Sequence, residues 1–192
     1  MIKNGKVIVV AAPSGCGKST IINAILDNCD LNLGFAVSAT TRPPREGERD
    51  GVNYYFMSEE DFRDAIAEGE FLEYEEVYPG RFYGTLRKEV DRITGDGHNI
   101  ILDLDVNGAL HVKDVYGSEA LTIFIQPPSL DELRRRLEFR GTETAEVIDV
   151  RIDRAAYELG RAPEFDRIVI NDRLDTAIDQ TRNLIDGFIS LQ

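Results

Sequence analysis

The chain has 192 residues, 42% of them hydrophobic and 8% aromatic, which suits one compact soluble domain with a small insert better than two domains. The formal net charge of −13 argues against a nucleic acid polymer as partner, because such binding needs a basic surface. There is no apolar run near the roughly 20 residues that span a bilayer and no signal-peptide pattern, and the two cysteines, Cys16 and Cys29, favour a reduced, cytoplasmic location without a disulfide framework.

Apolar runs alternate with helical periodicity along the chain. Buried strands are predicted at Val7–Ala12, Phe35–Ala39, Ile100–Asp105, Leu121–Ile125 and Arg167–Asn171. Helices are predicted near Thr20–Asn28, Leu86–Thr94, Asn107–Tyr116, Leu130–Arg140, Glu143–Leu159 and Asp175–Ser190. This alternation predicts an α/β fold, in which a parallel five-stranded sheet is flanked by helices on both faces.

The segment 38–85 departs from this alternation. It holds a proline-rich loop, a short aromatic strand at Tyr54–Phe56, a helix from Glu59 and a strand at Phe71–Val77. We expect a small α+β insert at 38–85, located at the sheet edge where ligands bind in α/β folds. We also expect an arginine-rich helical lid at 129–159. The remaining residues, 1–37, 86–128 and 160–192, would form the core.

The first predicted strand runs directly into the sequence S-G-C-G-K-S at Ser14–Ser19, which predicts a phosphate-binding loop. Glycines bring backbone N–H groups against phosphate oxygens, Lys18 can reach the β- and γ-phosphates, and the Ser19 hydroxyl suits Mg²⁺. The usual pattern has glycine where this chain has Ala12. A helix cap followed by a stray lysine is the alternative. The residues expected to bind the nucleotide here are Ala12, Pro13, Ser14, Gly15, Cys16, Gly17, Lys18, Ser19 and Thr20.

Charged residues are grouped at three further places. Asp103 and Asp105 lie two apart at the end of a predicted strand, so both carboxylates point to one face, where burial is costly unless cations or donors meet them. A solvent-exposed pair is the alternative. Arginines form two groups, which could bind phosphate or lie in solvent. The groups are Arg42, Arg45 and Arg49, and Arg134, Arg135, Arg136, Arg140, Arg151 and Arg154.

Together with the further segments given below, these motifs resemble those of guanylate kinases. This family of P-loop nucleoside monophosphate kinases phosphorylates GMP with ATP. The resemblance covers the full length. Besides the phosphate-binding loop, it is carried by VSATTRPPREGERDGVNYYF at Val37–Phe56, GEFLEY at Gly69–Tyr74, FYGT at Phe82–Thr85, ILDLDVNG at Ile101–Gly108, RGTET at Arg140–Thr144 and IVIND at Ile168–Asp172.

The resemblance implies a role for each matching residue. Guanine has donors at N1 and N2 and an acceptor at O6, so carboxylates and hydroxyls should recognise it. The carboxylates would be Glu73 and Asp105, and the hydroxyls Ser38 and Thr85. The GMP phosphate would be bound by Arg42, Arg45, Tyr54 and Tyr83. Lys18, Arg136, Arg140 and Arg151 would surround the transferring phosphoryl group, Asp103 and Ser19 would hold Mg²⁺, and Asn171 would contact the adenine of ATP.

Two other functions are possible for a chain with these motifs. The first is a kinase for a phosphorylated sugar, which the complete guanine-binding set argues against. The second is a non-catalytic scaffold that binds phosphopeptides, which the retained Lys18, Ser19 and Asp103 argue against. We therefore expect a cytoplasmic, Mg²⁺-dependent ATP:GMP phosphotransferase whose partners are small molecules rather than nucleic acid or membranes.

Overall fold

The computed structural model describes residues 5–27, 31–141 and 144–190, except for the side chains of Tyr78 and Arg140. The strands are β1 (Val7–Ala11), β2 (Leu33–Phe35), β3 (Ala39–Thr40), β4 (Tyr55–Phe56), β5 (Phe71–Tyr78), β6 (Arg81–Leu86), β7 (Asn99–Leu104), β8 (Ala120–Gln126) and β9 (Arg167–Ile170). The helices are α1 (Lys18–Leu26), α2 (Glu59–Ala67), α3 (Arg87–Gly95), α4 (Val106–Tyr116), α5 (Leu130–Arg140), α6 (Ala145–Gly160) and α7 (Leu174–Ser190).

The strands of the described residues form two sheets. The five-stranded sheet has the order β2-β7-β1-β8-β9, and β8 pairs in parallel with both β1 and β9. The four-stranded sheet has the order β4-β3-β6-β5 and contains antiparallel pairs. The predicted α/β fold with a parallel five-stranded sheet flanked by helices is confirmed. Among the described residues, no helix combines the length and the apolarity needed to cross a bilayer.

The chain divides into two compact units. One comprises Met1–Lys6 and Gly34–Ile100, and the other Val7–Leu33 and Ile101–Gln192. In the first unit, an aromatic core joins helix to sheet: the Phe62 ring of α2 stacks on Phe71 with centroids 4.2 Å apart and packs against Phe82. In the second unit, the apolar run of β1 is buried throughout.

Continuous burial of β1 explains its unbroken apolar sequence, because a parallel strand covered on both faces has no polar side. Its Ile8 and Val10 side chains pack in one cluster with residues of α1, β8 and α7. Helices α4 and α5 begin at side-chain caps, Asp105 and Ser129. Ser129 caps α5, since its Oγ accepts a hydrogen bond from the Glu132 amide at 3.1 Å.

Two strand assignments from the sequence need correction. The single strand predicted at Phe35–Ala39 is wrong, because Leu33–Phe35 and Ala39–Thr40 belong to different sheets. Between them the chain leaves the ladder, and the Val37 amide donates to a carboxylate oxygen of Glu89 at 3.3 Å. Strand β6 was not predicted, although the Pro79-Gly80 dipeptide before it is a turn signal. Cys29 and the predicted helix ends Asn28 and Glu143 lie outside the described residues.

Candidate active site

The phosphate-binding loop connects β1 to α1 through residues 12–17. Gly15 and Gly17 have φ values of 95° and 86°, a region that other L-residues rarely adopt, and Gly17 is the N-cap of α1. Among the described residues other than glycine, Asn32 alone has a positive φ. Ala12 therefore replaces the usual glycine of the pattern without backbone strain.

Helix α5 packs against this loop and restricts its side chains. A Cβ atom at Gly15 would lie 2.8 Å from a methyl group of Leu137. The Cys16 side chain is fully buried in a cluster with Leu133, Leu137 and Ile148. The loop is thus held by the apolar side of α5, and the Cys16 side chain belongs to the core.

Lys18 is directed to the end of β7 by two contacts. Its Nζ donates to the Leu104 carbonyl at 2.8 Å and forms an ion pair with Asp103. Ser19 and Thr20 follow in the first turn of α1 with exposed side chains. The structure thus brings together the predicted phosphate-binding lysine and one of the two paired carboxylates.

The other paired carboxylate, Asp105, directly follows β7 and caps α4. One of its oxygens accepts a hydrogen bond from the Gly108 amide at 2.8 Å, and the other lies 3.9 Å from a guanidinium nitrogen of Arg154. Arg154 also pairs with Glu158 at 2.9 Å. Burial raises the pKa of Glu158, against the opposing effect of Arg154.

Two of the three predicted lid arginines, Arg136 and Arg151, have side-chain contacts within the structure. Arg151 donates to the Ser14 hydroxyl of the phosphate-binding loop at 3.0 Å. Arg136 pairs with Glu132, one turn earlier on α5, at 2.9 Å. Arg140 ends α5, and its side chain lies outside the described residues.

A cavity of about 580 Å³ lies beside the phosphate-binding loop. Gly15, Gly17 and Thr20 line one part of it, and Arg136, Phe139 and Asn171 line another. The cavity therefore joins the loop to α5 and to the residue that follows β9, within a single unit.

In the other unit, Arg42 is the centre of a cationic site. It is 7% exposed, pairs with Glu48 at 2.9 Å and lies 5.3 Å from the centre of the Tyr54 ring. The Tyr54 and Tyr83 rings are 6.0 Å apart. The hydrogen bond to Glu48 is the main reason why the pKa of Arg42 is raised, and it also lowers the pKa of Glu48. Arg45 is exposed, and its backbone N–H donates to Glu48 at 2.7 Å.

Two predicted guanine-binding residues form a row across β5 and β6. Glu73 of β5 pairs directly with Thr85 of β6. Directly paired residues point to the same face of a sheet, so this carboxylate and this hydroxyl lie on one face. The third predicted residue, Ser38, directly precedes β3, whose Ala39 pairs with Gly84, the neighbour of Thr85.

The Thr85 hydroxyl has no hydrogen-bond partner. Among the described residues, every other buried side-chain oxygen or nitrogen has a hydrogen-bond partner. Thr85 itself is only 1% exposed. Buried hydroxyl groups are nearly always paired, because an unpaired one costs free energy. An orphaned hydroxyl in this row is the kind of group that a polar ligand would satisfy.

The family model described as guanylate kinase matches residues 4–187. The chain belongs to the guanylate kinase family. A guanylate kinase of Bacteroides fragilis is 54% identical over 97% of this chain and 91% of the relative. A guanylate kinase of Chlorobaculum tepidum is 47% identical over 98% of this chain and 96% of the relative.

Solved structures of this family agree with the fold. The crystal structure of guanylate kinase from Anaplasma phagocytophilum superposes with a TM-score of 0.79 at 30% identity, covering 98% of this chain and 88% of that one. A shikimate kinase from Bacteroides thetaiotaomicron has a TM-score of 0.51 at 16% identity, a likeness of fold alone. The guanylate kinase fold therefore extends over nearly the whole chain.

Sequence reasoning missed three residues of these sites. Glu48 holds the Arg42 side chain and the Arg45 amide, and its position six residues after Arg42 gave no signal for this. Arg135, which was given no role among the grouped arginines, lines the cavity. Phe139 lines it as well and is 93% exposed. Its place away from the helix face that carries Leu130, Leu133 and Leu137 is the signal that could have indicated it.

The residues near the loop fit a magnesium ion. Mg²⁺ prefers hard oxygen ligands, keeps several waters and usually takes one or two protein oxygens besides phosphate. The hydroxyl of Ser19 and the carboxylate of Asp103 provide such oxygens, the first beside Lys18 in the chain and the second in contact with it.

Proposed function

We propose that the protein transfers the γ-phosphoryl group of ATP to GMP or dGMP and releases ADP and GDP or dGDP. Membership of the guanylate kinase family supports this reaction. The observation that carries the substrate assignment is the pairing of Glu73 with Thr85, whose buried hydroxyl has no partner.

Guanine would be recognised by the hydrogen-bonding groups of Glu73, Thr85 and Ser38. The Glu73 carboxylate would accept hydrogen bonds from N1–H and N2–H₂, and the Ser38 and Thr85 hydroxyls would donate to O6. Asp105 is the second proposed carboxylate for guanine. Adenine lacks the N1 and N2 donors, so AMP would leave buried carboxylate oxygens unpaired, which is a strong basis for rejection.

The phosphate of GMP would be bound by Arg42, Arg45, Tyr54 and Tyr83. Arg42 is held in place by Glu48 and by the Tyr54 ring, so little side-chain entropy remains to be lost when a phosphate binds. The tyrosine hydroxyls would add hydrogen bonds without adding charge.

The triphosphate of ATP would occupy the phosphate-binding loop. Backbone N–H groups of Ser14, Gly15 and Gly17, the start of α1 and Lys18 would bind its phosphates. Mg²⁺, for which Ser19 and Asp103 are the proposed protein ligands, neutralises phosphate charge when it is bound.

Transfer proceeds in line in this proposal. An oxygen of the GMP phosphate forms a bond to the γ-phosphorus, the bond to the β–γ bridging oxygen breaks, and ADP leaves with that oxygen. Arg136, Arg140 and Arg151 of the proposed lid at 129–159 would offset the charge of the transferring group, which needs positioning and neutralisation more than a strong base.

The test is ADP release from ATP and Mg²⁺ with one acceptor at a time: GMP, dGMP, AMP, UMP and ribose 1,5-bisphosphate. We expect selective turnover of GMP and dGMP. Equal turnover of AMP would refute the guanine assignment, and preferred turnover of ribose 1,5-bisphosphate would favour a sugar-phosphate kinase.

A further inference from the structure

The side chain of Asn171, the residue after β9, is tied to the phosphate-binding loop. Its Nδ2 donates a hydrogen bond to the Cys16 carbonyl at 2.7 Å, and the residue is 5% exposed. The backbone of Asn171 is fixed as well, because its N–H donates to the Gln126 carbonyl of β8 at 2.8 Å. The core sheet thus places an amide donor against one peptide of the loop.

We infer that Asn171 is a positioning residue, which orients the Cys16–Gly17 peptide so that its N–H faces a bound phosphate. This inference rests on the proposed function. The carbonyl and the N–H of a trans peptide point in opposite directions, and none of the described peptide bonds is cis. Holding the Cys16 carbonyl toward Asn171 therefore turns the Gly17 N–H away from Asn171.

The backbone around this peptide agrees with the assignment. Gly17 has a φ of 86°, and a Cβ atom there would lie 2.7 Å from Asn171 Nδ2. The preceding peptide is fixed separately, since the Cys16 N–H donates to the Pro13 carbonyl at 3.2 Å. Both Gly17 and Asn171 line the cavity beside the loop. The Cys16–Gly17 peptide is thus held by the core and borders the space proposed for the nucleotide.

A contact between Asn171 and adenine is the competing role, and the two roles affect different parts of the ligand. A base contact contributes only when the ligand contains adenine. An oriented loop amide contributes to every ligand with a phosphate chain, including one with no base. Inorganic tripolyphosphate therefore separates the two.

The experiment measures the binding of ADP and of tripolyphosphate by calorimetry for the wild type, Asn171→Ala and Asn171→Asp. The Asp variant keeps the side-chain shape but sets an oxygen against the Cys16 carbonyl. Asn99→Ala is the matched control, because Asn99 is also buried and its Oδ1 accepts a hydrogen bond from the Lys6 amide. Circular dichroism monitors the fold of each variant.

We expect the dissociation constants of both ligands to rise by the same factor in Asn171→Ala, about tenfold for one misdirected donor to an anion. The increase should be larger in Asn171→Asp and absent in Asn99→Ala. In turnover, the KM for ATP should rise while the KM for GMP stays constant. A loss confined to ADP, or no loss for either ligand, would overturn the inference. Failure of the wild type to phosphorylate GMP would refute the proposed function. The comparison of ADP with tripolyphosphate would still decide whether Asn171 orients the Cys16–Gly17 peptide.

Discussion

Replacing Thr85 by valine should stabilise the protein and weaken GMP binding at the same time. Valine has nearly the shape of threonine but carries a methyl group in place of the hydroxyl. The Thr85 hydroxyl is buried without a partner, so its removal relieves a penalty of about 1–3 kcal/mol. For a chain of this size, each kcal/mol moves Tm by roughly 2–4 °C, so Tm should rise by at least about 2 °C.

GMP binding should change in the opposite direction. A neutral hydrogen bond from Thr85 to guanine O6 would contribute about 0.5–1.5 kcal/mol, so its loss should lower kcat/KM for GMP by up to about tenfold. The KM for ATP should not change. The measurements are thermal unfolding without substrate and steady-state kinetics with GMP varied.

Thr40→Val is the matched control for stability. Thr40 is fully buried in the same sheet, but its hydroxyl donates to the Phe82 carbonyl at 2.9 Å and accepts from the Arg42 amide. Its replacement should therefore lower Tm. If Thr85→Val lowered Tm as Thr40→Val does, or left kcat/KM for GMP unchanged, the assignment of the Thr85 hydroxyl to a ligand would be wrong.

Three further predictions address the donor site, the acceptor specificity and the stability. Lys18→Ala should abolish measurable turnover while GMP binding persists; full activity would exclude the proposed role, and retained binding of a phosphopeptide would favour a scaffold. Glu73→Gln should lower the preference for GMP over IMP by about tenfold in competition assays, because IMP lacks the N2 donor; an unchanged ratio would contradict the guanine assignment. Burial alone would raise the pKa of Asp166, but hydrogen bonds from Lys113 and Thr122 lower it below its ordinary value of 3.8. A carboxyl group whose pKa is lowered by folding stabilises the protein at pH values above its unfolded pKa, and this stability is lost as the pH falls through the folded pKa. Asp166→Asn should therefore lower Tm at pH 7, and the difference in Tm from the wild type should shrink below about pH 4. A Tm difference that stayed constant with pH would contradict this.

The sequence predicted four strands of the core sheet, β1, β7, β8 and β9, because each of them gives a local signal. A run such as Val7–Ala11 is apolar throughout, as a strand buried on both faces must be. The four-stranded sheet gave a weaker signal. Its strands β3 and β4 have two residues each, too few for an alternating pattern, and are specified by pairing with partners distant in sequence. Local periodicity could therefore not separate β2 from β3.

The candidate site could be predicted only as a set of residue types. The resemblance to guanylate kinases identified Glu73, Thr85 and Ser38, but the pairing of Glu73 with Thr85 depends on strand register, which no single segment contains. The contact of Asn171 with the phosphate-binding loop joins positions 155 residues apart. The cavity position of Phe139 likewise depends on how α5 packs against the loop, which the periodicity of the helix does not determine.

In a chain with a net charge of −13, several cations of the candidate sites are not available as free positive charges. Cations of the candidate sites pair with carboxylates of the same chain. These pairs are Lys18 with Asp103, Arg42 with Glu48, Arg136 with Glu132 and Arg154 with Glu158. Such pairing fixes the side chains but offsets part of their charge, so an incoming phosphate competes with a carboxylate at each cation. Affinity for phosphate should then depend on backbone N–H groups, which carry no compensating anion, at least as much as on the side chains. The orientation of the Cys16–Gly17 peptide by Asn171 would matter for this reason.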